Sequence, residues 1–141
     1  MSYKISQASF IHSLRPVFED ARLKWLTPDE LADLLDRYWL AISNLCSQSV
    51  KEPKKHLLMK TTGVSVLHQI LPDVVAYLTS KGKKIRDLSA QDFIDVLQEV
   101  PEMTDGFWSS ANEDGAKRYL GELGARGLAK QLRKSLPRPE D

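Results

Sequence analysis

Residues 57–78 read LLMKTTGVSVLHQILPDVVAYL, and the fold turns on how this stretch is taken. Leu67, Ile70, Leu71, Val74, Val75 and Leu78 step by three and four, the stripe of a helix that buries one face. Pro72 falls inside the stripe and either kinks that helix or splits it, with Pro72-Asp73 opening the second piece. Upstream, Lys60-Thr61-Thr62-Gly63 poses a functional question. A nucleotide-wrapping loop needs glycines before its lysine, and Leu57-Leu58-Met59 stands there instead. The Lys-Thr-Gly of penicillin-recognising enzymes is excluded as well, because the triplet is interrupted and no strand or serine partner supports it. What remains is a helix N-terminus with a hydroxyl cap from Thr61 or Thr62, free N–H groups near Gly63, and Lys60 at its entrance. Such an end either caps its own helix and binds nothing, or holds an anion such as a nucleic-acid phosphate.

Helical spacing continues on both sides of this stretch. Phe10, Ile11, Leu14, Val17 and Phe18 form one stripe, with Pro16 set to kink or end it. Thr27-Pro28-Asp29-Glu30 supplies an N-cap hydroxyl, a proline at the first helical position and a capping-box glutamate. The helix it opens carries Leu31, Leu34, Leu35, Tyr38, Ile42 and Leu45 on one face, with Trp39 beside it, and is expected to reach about Ser47. Lys81-Gly82-Lys83-Lys84 is a helix stop, and Ser89-Ala90-Gln91-Asp92 opens a short helix. Residues 101–114 read as an acidic loop in which Phe107-Trp108 folds back into the core as a plug. A last helix is expected from about Ala116 to Leu136, with Leu120, Leu123, Leu128 and Leu132 on one side, followed by a disordered tail at 137–141. No segment alternates at period two for long enough to propose a strand. The expectation is an all-α single domain, an irregular bundle of about five helices.

At 141 residues, 42% hydrophobic and 28% charged, the chain has the composition of one soluble domain. No apolar run approaches the roughly 20 residues of a membrane span, and Met1 to Gln7 lacks the order of a secretion signal. A lone cysteine, Cys46, excludes an internal disulfide framework and fits a reducing cytoplasm. The net charge of +1 hides a segregation. Residues 51–86 carry 8 basic and 2 acidic side chains, residues 87–115 carry 8 acidic and no basic ones, and residues 116–141 carry 7 basic and 3 acidic. These blocks either pair with one another or present a basic face to nucleic acid.

No catalytic or metal signature stands out. His12, His56, His68 and Cys46 show no metal-ligand spacing, and His68 beside the apolar stripe reads as a packed residue. Asp29, Asp33 and Asp36 fall on the outer face of their helix, and neither a Ser/His/Asp order nor a carboxylate pair appears. No cofactor is implied. Gly121, Gly124 and Gly127 recur at three-residue steps in the expected last helix, costing roughly 1 kcal/mol each relative to alanine. Close approach of a helix, in this chain or in a partner, is the reading that offsets that cost.

Tyr38-Trp39-x-Ala41-Ile42, Lys60-Thr61-Thr62-Gly63-Val64 followed by Leu67 and Leu71-Pro72, Phe107-Trp108, and Tyr119-Leu120-Gly121 occur in that order. In this order the chain resembles, over residues 5–136, the C-terminal helical part of DGQHR-domain proteins, bacterial relatives of the DNA phosphorothioation regulator DndB. The family's naming motif, Asp-Gly-Gln-His-Arg, is absent from these residues, so activity attached to it does not carry over. The resemblance implies a cytoplasmic bacterial protein in a DNA-modification, defence or mobile-element setting.

Two functions follow as expectations. In the first, a non-catalytic helical module contacts nucleic-acid phosphates through Lys54, Lys55, Lys60, Thr61, Thr62, Gly63, Lys83, Lys84, Arg86, Arg126, Lys130 and Arg133. In the second, a protein-interaction or oligomerisation domain uses the Gly121, Gly124 and Gly127 seam. An enzyme is disfavoured, and no membrane partner is expected.

Overall fold

The computed structural model describes residues 7–140, which form eight α-helices and no strand. They are α1 (Gln7–Ser13), α2 (Arg15–Glu19), α3 (Pro28–Leu45), α4 (Ser47–Lys51), α5 (Thr61–Ser80), α6 (Ala90–Leu97), α7 (Asp105–Trp108) and α8 (Glu122–Arg133). Among these residues no helix is long and apolar enough to cross a membrane. The all-α expectation holds, and the quoted stretch explains the arrangement. α5 buries Val64, Val66, Leu67, His68, Ile70, Leu71, Val74, Val75 and Leu78, more than one face of a helix. It is therefore the central element, with α8 against its length and α1 and α2 on another side. α3 packs on α6 and is tied to α5 by the Tyr38 hydroxyl, which donates to Leu67 O at 2.7 Å.

Local signals set several boundaries as the sequence implies. The Thr27 hydroxyl accepts from Glu30 N while the Glu30 carboxylate accepts from Thr27 N, closing the expected capping box on α3. Ser89 and Asp92 do the same for α6. Trp108 is fully buried, as a plug should be.

Of the two outcomes posed for Pro72 the split does not occur: α5 is continuous through it, and the apolar side chains on either side are held by the surrounding helices. Three expectations are corrected. The first stripe divides at Leu14 into α1 and α2, with Pro16 in the first turn of α2. α3 ends at Leu45 and a separate short helix follows, capped from a distance: the Asp105 carboxylate accepts from Gln48 N, Ser49 N and Ser49 Oγ at 3.2, 2.7 and 2.7 Å. The last helix is shorter than expected. Ala116–Tyr119 is a 3-10 turn, the chain breaks at Gly121 with φ of +91°, and α8 spans only Glu122–Arg133. Leu120 and Leu123 consequently face outward, while Ala125, Leu128, Ala129 and Leu132 are buried. Pro137–Glu140 of the expected tail line a hollow with Lys130 and Arg133, and Asp141 lies outside the described residues.

Candidate functional site

The start of α5 is positioned by the acidic loop. Leu57 N donates to Trp108 O at 2.7 Å and Ser110 N donates to Lys55 O at 2.9 Å, with a single bridge between His56 and Ser109. This holds the Leu57-Leu58 turn under the first turn of α5. A Cβ at Gly63 would lie 2.5 Å from Leu57 O and closer still to Leu58 O, so only glycine lets the helix settle there. Gly63 is thus a packing residue. Lys60 is the N-cap of α5 and no side chain caps the helix, so neither Thr61 nor Thr62 is the expected hydroxyl cap. Val64 N is the first in α5 to reach back into the turn, to Lys60 O, which leaves the N–H groups of Thr61, Thr62 and Gly63 without a backbone partner among the described residues.

α8 runs parallel to α5. At its far end Arg133 bonds Asp73 Oδ2 at 2.9 Å and Gln69 O at 3.0 Å, while at its start Gly121, Glu122 and Ala125 share a cleft with Thr61, Thr62 and Ser65. Twelve residues separate Thr61 from Asp73 and Gly121 from Arg133, about 18 Å along each helix. Both N-termini therefore open at the same end, where their dipoles add. Gly121, the N-cap of α8, offers no side-chain cap, and Ala125 N is the first to bond back, to Gly121 O.

The cleft between them has a volume of about 640 Å³, and the α1–α2 junction closes its third side with His12, Ser13, Arg15 and Pro16. Thr61, Thr62, Ser65, Gln69, Arg126 and the carboxylate of Glu122 complete the polar lining. Arg15 pairs with Glu19 at 2.9 Å and Arg126 with Glu122 at 3.3 Å, all four side chains more than half exposed. Such pairs are weak and exchange readily for a stronger anion. Arg15 and the α1–α2 junction carried no signal in the sequence; only the packing of those helices on α5 brings them here.

Ser13 meets His68 across this wall, which raises the question of a nucleophile and its base. The Trp39 indole N–H donates to His68 Nε2 at 3.0 Å. Indole only donates, so the ring proton sits on Nδ1 and is given to Ser13 Oγ at 2.8 Å, and the Ser13 hydroxyl donates to Phe10 O. His68 has no lone pair facing Ser13 and cannot take its proton. Burial pushes its pKa down to about 4, keeping the ring neutral. The group is a clasp joining α1, α3 and α5, and His68 is the packed residue its position suggests.

The other expected contacts are dispersed. Lys83, Lys84 and Arg86 follow the C-terminus of α5, about 30 Å along the helix from Lys60. Lys83 pairs with Asp92 at 3.1 Å, joining the basic block to the acidic one, and Arg86 pairs with Glu30, so two of them are engaged by carboxylates within the molecule. Lys54 and Lys55 sit in the turn before α5, Lys55 pairing with Glu52. Lys130 and Arg133 line the separate hollow at the end of α8. No family model, curated protein or solved structure matches the chain. No other helix of this chain packs on the glycines as a seam: Gly124 is packed against the Tyr119 carbonyl just before α8, and Gly127 has open space around it.

Proposed function

We propose that the chain is a non-catalytic helical module that binds nucleic-acid phosphates at the cleft between the α5 and α8 N-termini, in a regulatory role. The observation that carries the reading is the parallel pairing of α5 and α8, which turns two uncapped N-termini and the cations Arg15 and Arg126 toward one concave site. The resemblance to DGQHR-domain proteins points the same way and suggests a bacterial DNA-modification or defence setting.

Fluorescence anisotropy with labelled single- and double-stranded DNA tests the reading. Binding should weaken steeply between 50 and 200 mM salt, because phosphate contacts release counterions. Arg126→Glu and Lys60→Glu should each weaken it by about tenfold, whereas Lys83→Glu at the far end should change it little. Binding that ignores salt and both cleft-end reversals overturns the proposal.

A second reading, a protein-interaction domain, draws on Trp25, Leu120 and Leu123, which are 78%, 56% and 80% exposed. Light scattering across a concentration series tests self-association, with Leu123→Ser expected to abolish any oligomer. A monomer at every concentration removes the homo-oligomer form of this reading.

A further inference from the structure

We infer that the cleft is shaped for a phosphate monoester, the group carried at the end of a nucleic-acid strand or on a free nucleotide. The inference rests on the phosphate reading above and narrows it. Its starting point is Thr62, only 9% exposed, which lines the cleft. The Thr62 hydroxyl makes no hydrogen bond among the described residues, yet it is not sealed off from solvent. A polar side chain nine-tenths buried is ordinarily hydrogen-bonded, to protein or to water, so this hydroxyl is free to take a partner that enters the cleft in place of solvent.

The groups around it ask for the same partner. Of the four helices that span eight residues or more among the described residues, α3 and α6 close their N-termini with capping boxes, while α5 and α8, the two that open on the cleft, have no side-chain cap. Thr61 and Thr62 N–H on one side and Glu122 and Leu123 N–H on the other are donors without backbone partners. The carboxylate in the lining, Glu122, is engaged by Arg126.

The shape decides which phosphate. An internal phosphodiester is tethered by sugars on two sides and sits on the outside of its strand, where it meets the exposed cations at the rim. A monoester is tethered on one side, so it can pass Arg15 and Arg126 and reach the recessed Thr62 hydroxyl. It also presents three acceptor oxygens and close to two negative charges at neutral pH, against one for a diester. A cleft of this volume has room for a nucleotide-sized group.

The test compares a 5′-phosphorylated single strand with the same strand ending in a 5′-hydroxyl, at 150 mM salt, with AMP and inorganic phosphate as competitors. The phosphorylated strand should bind at least tenfold tighter, and AMP should displace it. Thr62→Val, which keeps the shape and removes the hydroxyl, should erase most of that preference with an unchanged circular-dichroism melt. Should Thr62→Val unsettle the fold, Arg126→Gln provides the same comparison from the exposed rim. Equal affinity for the two strands, with no effect of AMP, overturns the monoester inference and leaves nucleic-acid binding standing. AMP and inorganic phosphate binding without strand binding overturns the nucleic-acid reading and keeps the monoester site. Absence of all binding overturns both.

Discussion

His68 shows how much one residue can organise. Its ring is fully buried and joins three helices through Ser13, Trp39 and its own backbone. With a folded pKa of about 4 against 6.5 for the free residue, the unfolded chain takes up a proton first as pH falls. The His68 contribution to stability is therefore complete above pH 6.5 and declines steadily toward pH 4, by about 2 kcal/mol between pH 7 and 5. Urea unfolding at the two pH values measures the loss, and an NMR titration should show the His68 ring neutral and protonated on Nδ1 at pH 5. Cys46 is equally enclosed: burial first, and then the Asp105 carboxylate, push its thiol up to about 12. A thiol reagent at pH 8 should leave native protein untouched and label it at the rate of unfolding.

Among elements, the α5 start and the α4 start depend on contacts that cross the chain. Gly63→Ala places a Cβ against two backbone carbonyls that cannot swing aside, and should cost about 3 kcal/mol in thermal or urea unfolding. Gly127→Ala, in open space within α8, should stabilise by about 0.5–1 kcal/mol in the same assay. Opposite signs for two glycines would separate close approach from mere tolerance. Asp105→Ala removes three charge-assisted bonds from the α4 N-terminus and should cost about 2 kcal/mol. Burial works against ionising Asp105, but the bonds from Ser49 and Gln48 hold its carboxyl below the usual range. That stabilisation persists above the ordinary carboxylate pKa and is lost as pH falls through the depressed one.

At the scale of the molecule, the cleft exists only because α8 lies parallel to α5. Leu128, fully buried where α8 meets the core, is a direct lever on that pairing. Leu128→Ala should destabilise the protein by about 3 kcal/mol. It should also weaken phosphate binding at temperatures where circular dichroism still reports a folded chain. Charge distribution acts at this scale too. Lys83 and Arg86 join Asp92 and Glu30, and Arg133 joins Asp73, so part of the basic content is turned inward on the molecule's own carboxylates.

The sequence alone determined that the chain is helical, where α3 and α6 begin, which face of α3 is buried, and that Trp108 is a plug. Each of these rests on local chemistry: periodicity, a hydroxyl three residues before a carboxylate, an aromatic pair in a polar loop without apolar company. Which of its two outcomes Pro72 takes, the division at Leu14 and the late start of α8 were set by packing rather than by local sequence. The role of Gly63 and the open spacing of Gly127 were equally hidden, because a glycine's reason is the backbone that approaches it. The cleft was half legible. Lys60-Thr61-Thr62-Gly63 marked one wall, but Arg15, Gly121 and Arg126 lie far away in sequence and converge only when α1, α5 and α8 pack together. Periodicity names the buried face of a helix; which other helix covers it, and in which direction that helix runs, is settled by the complementarity of surfaces in three dimensions.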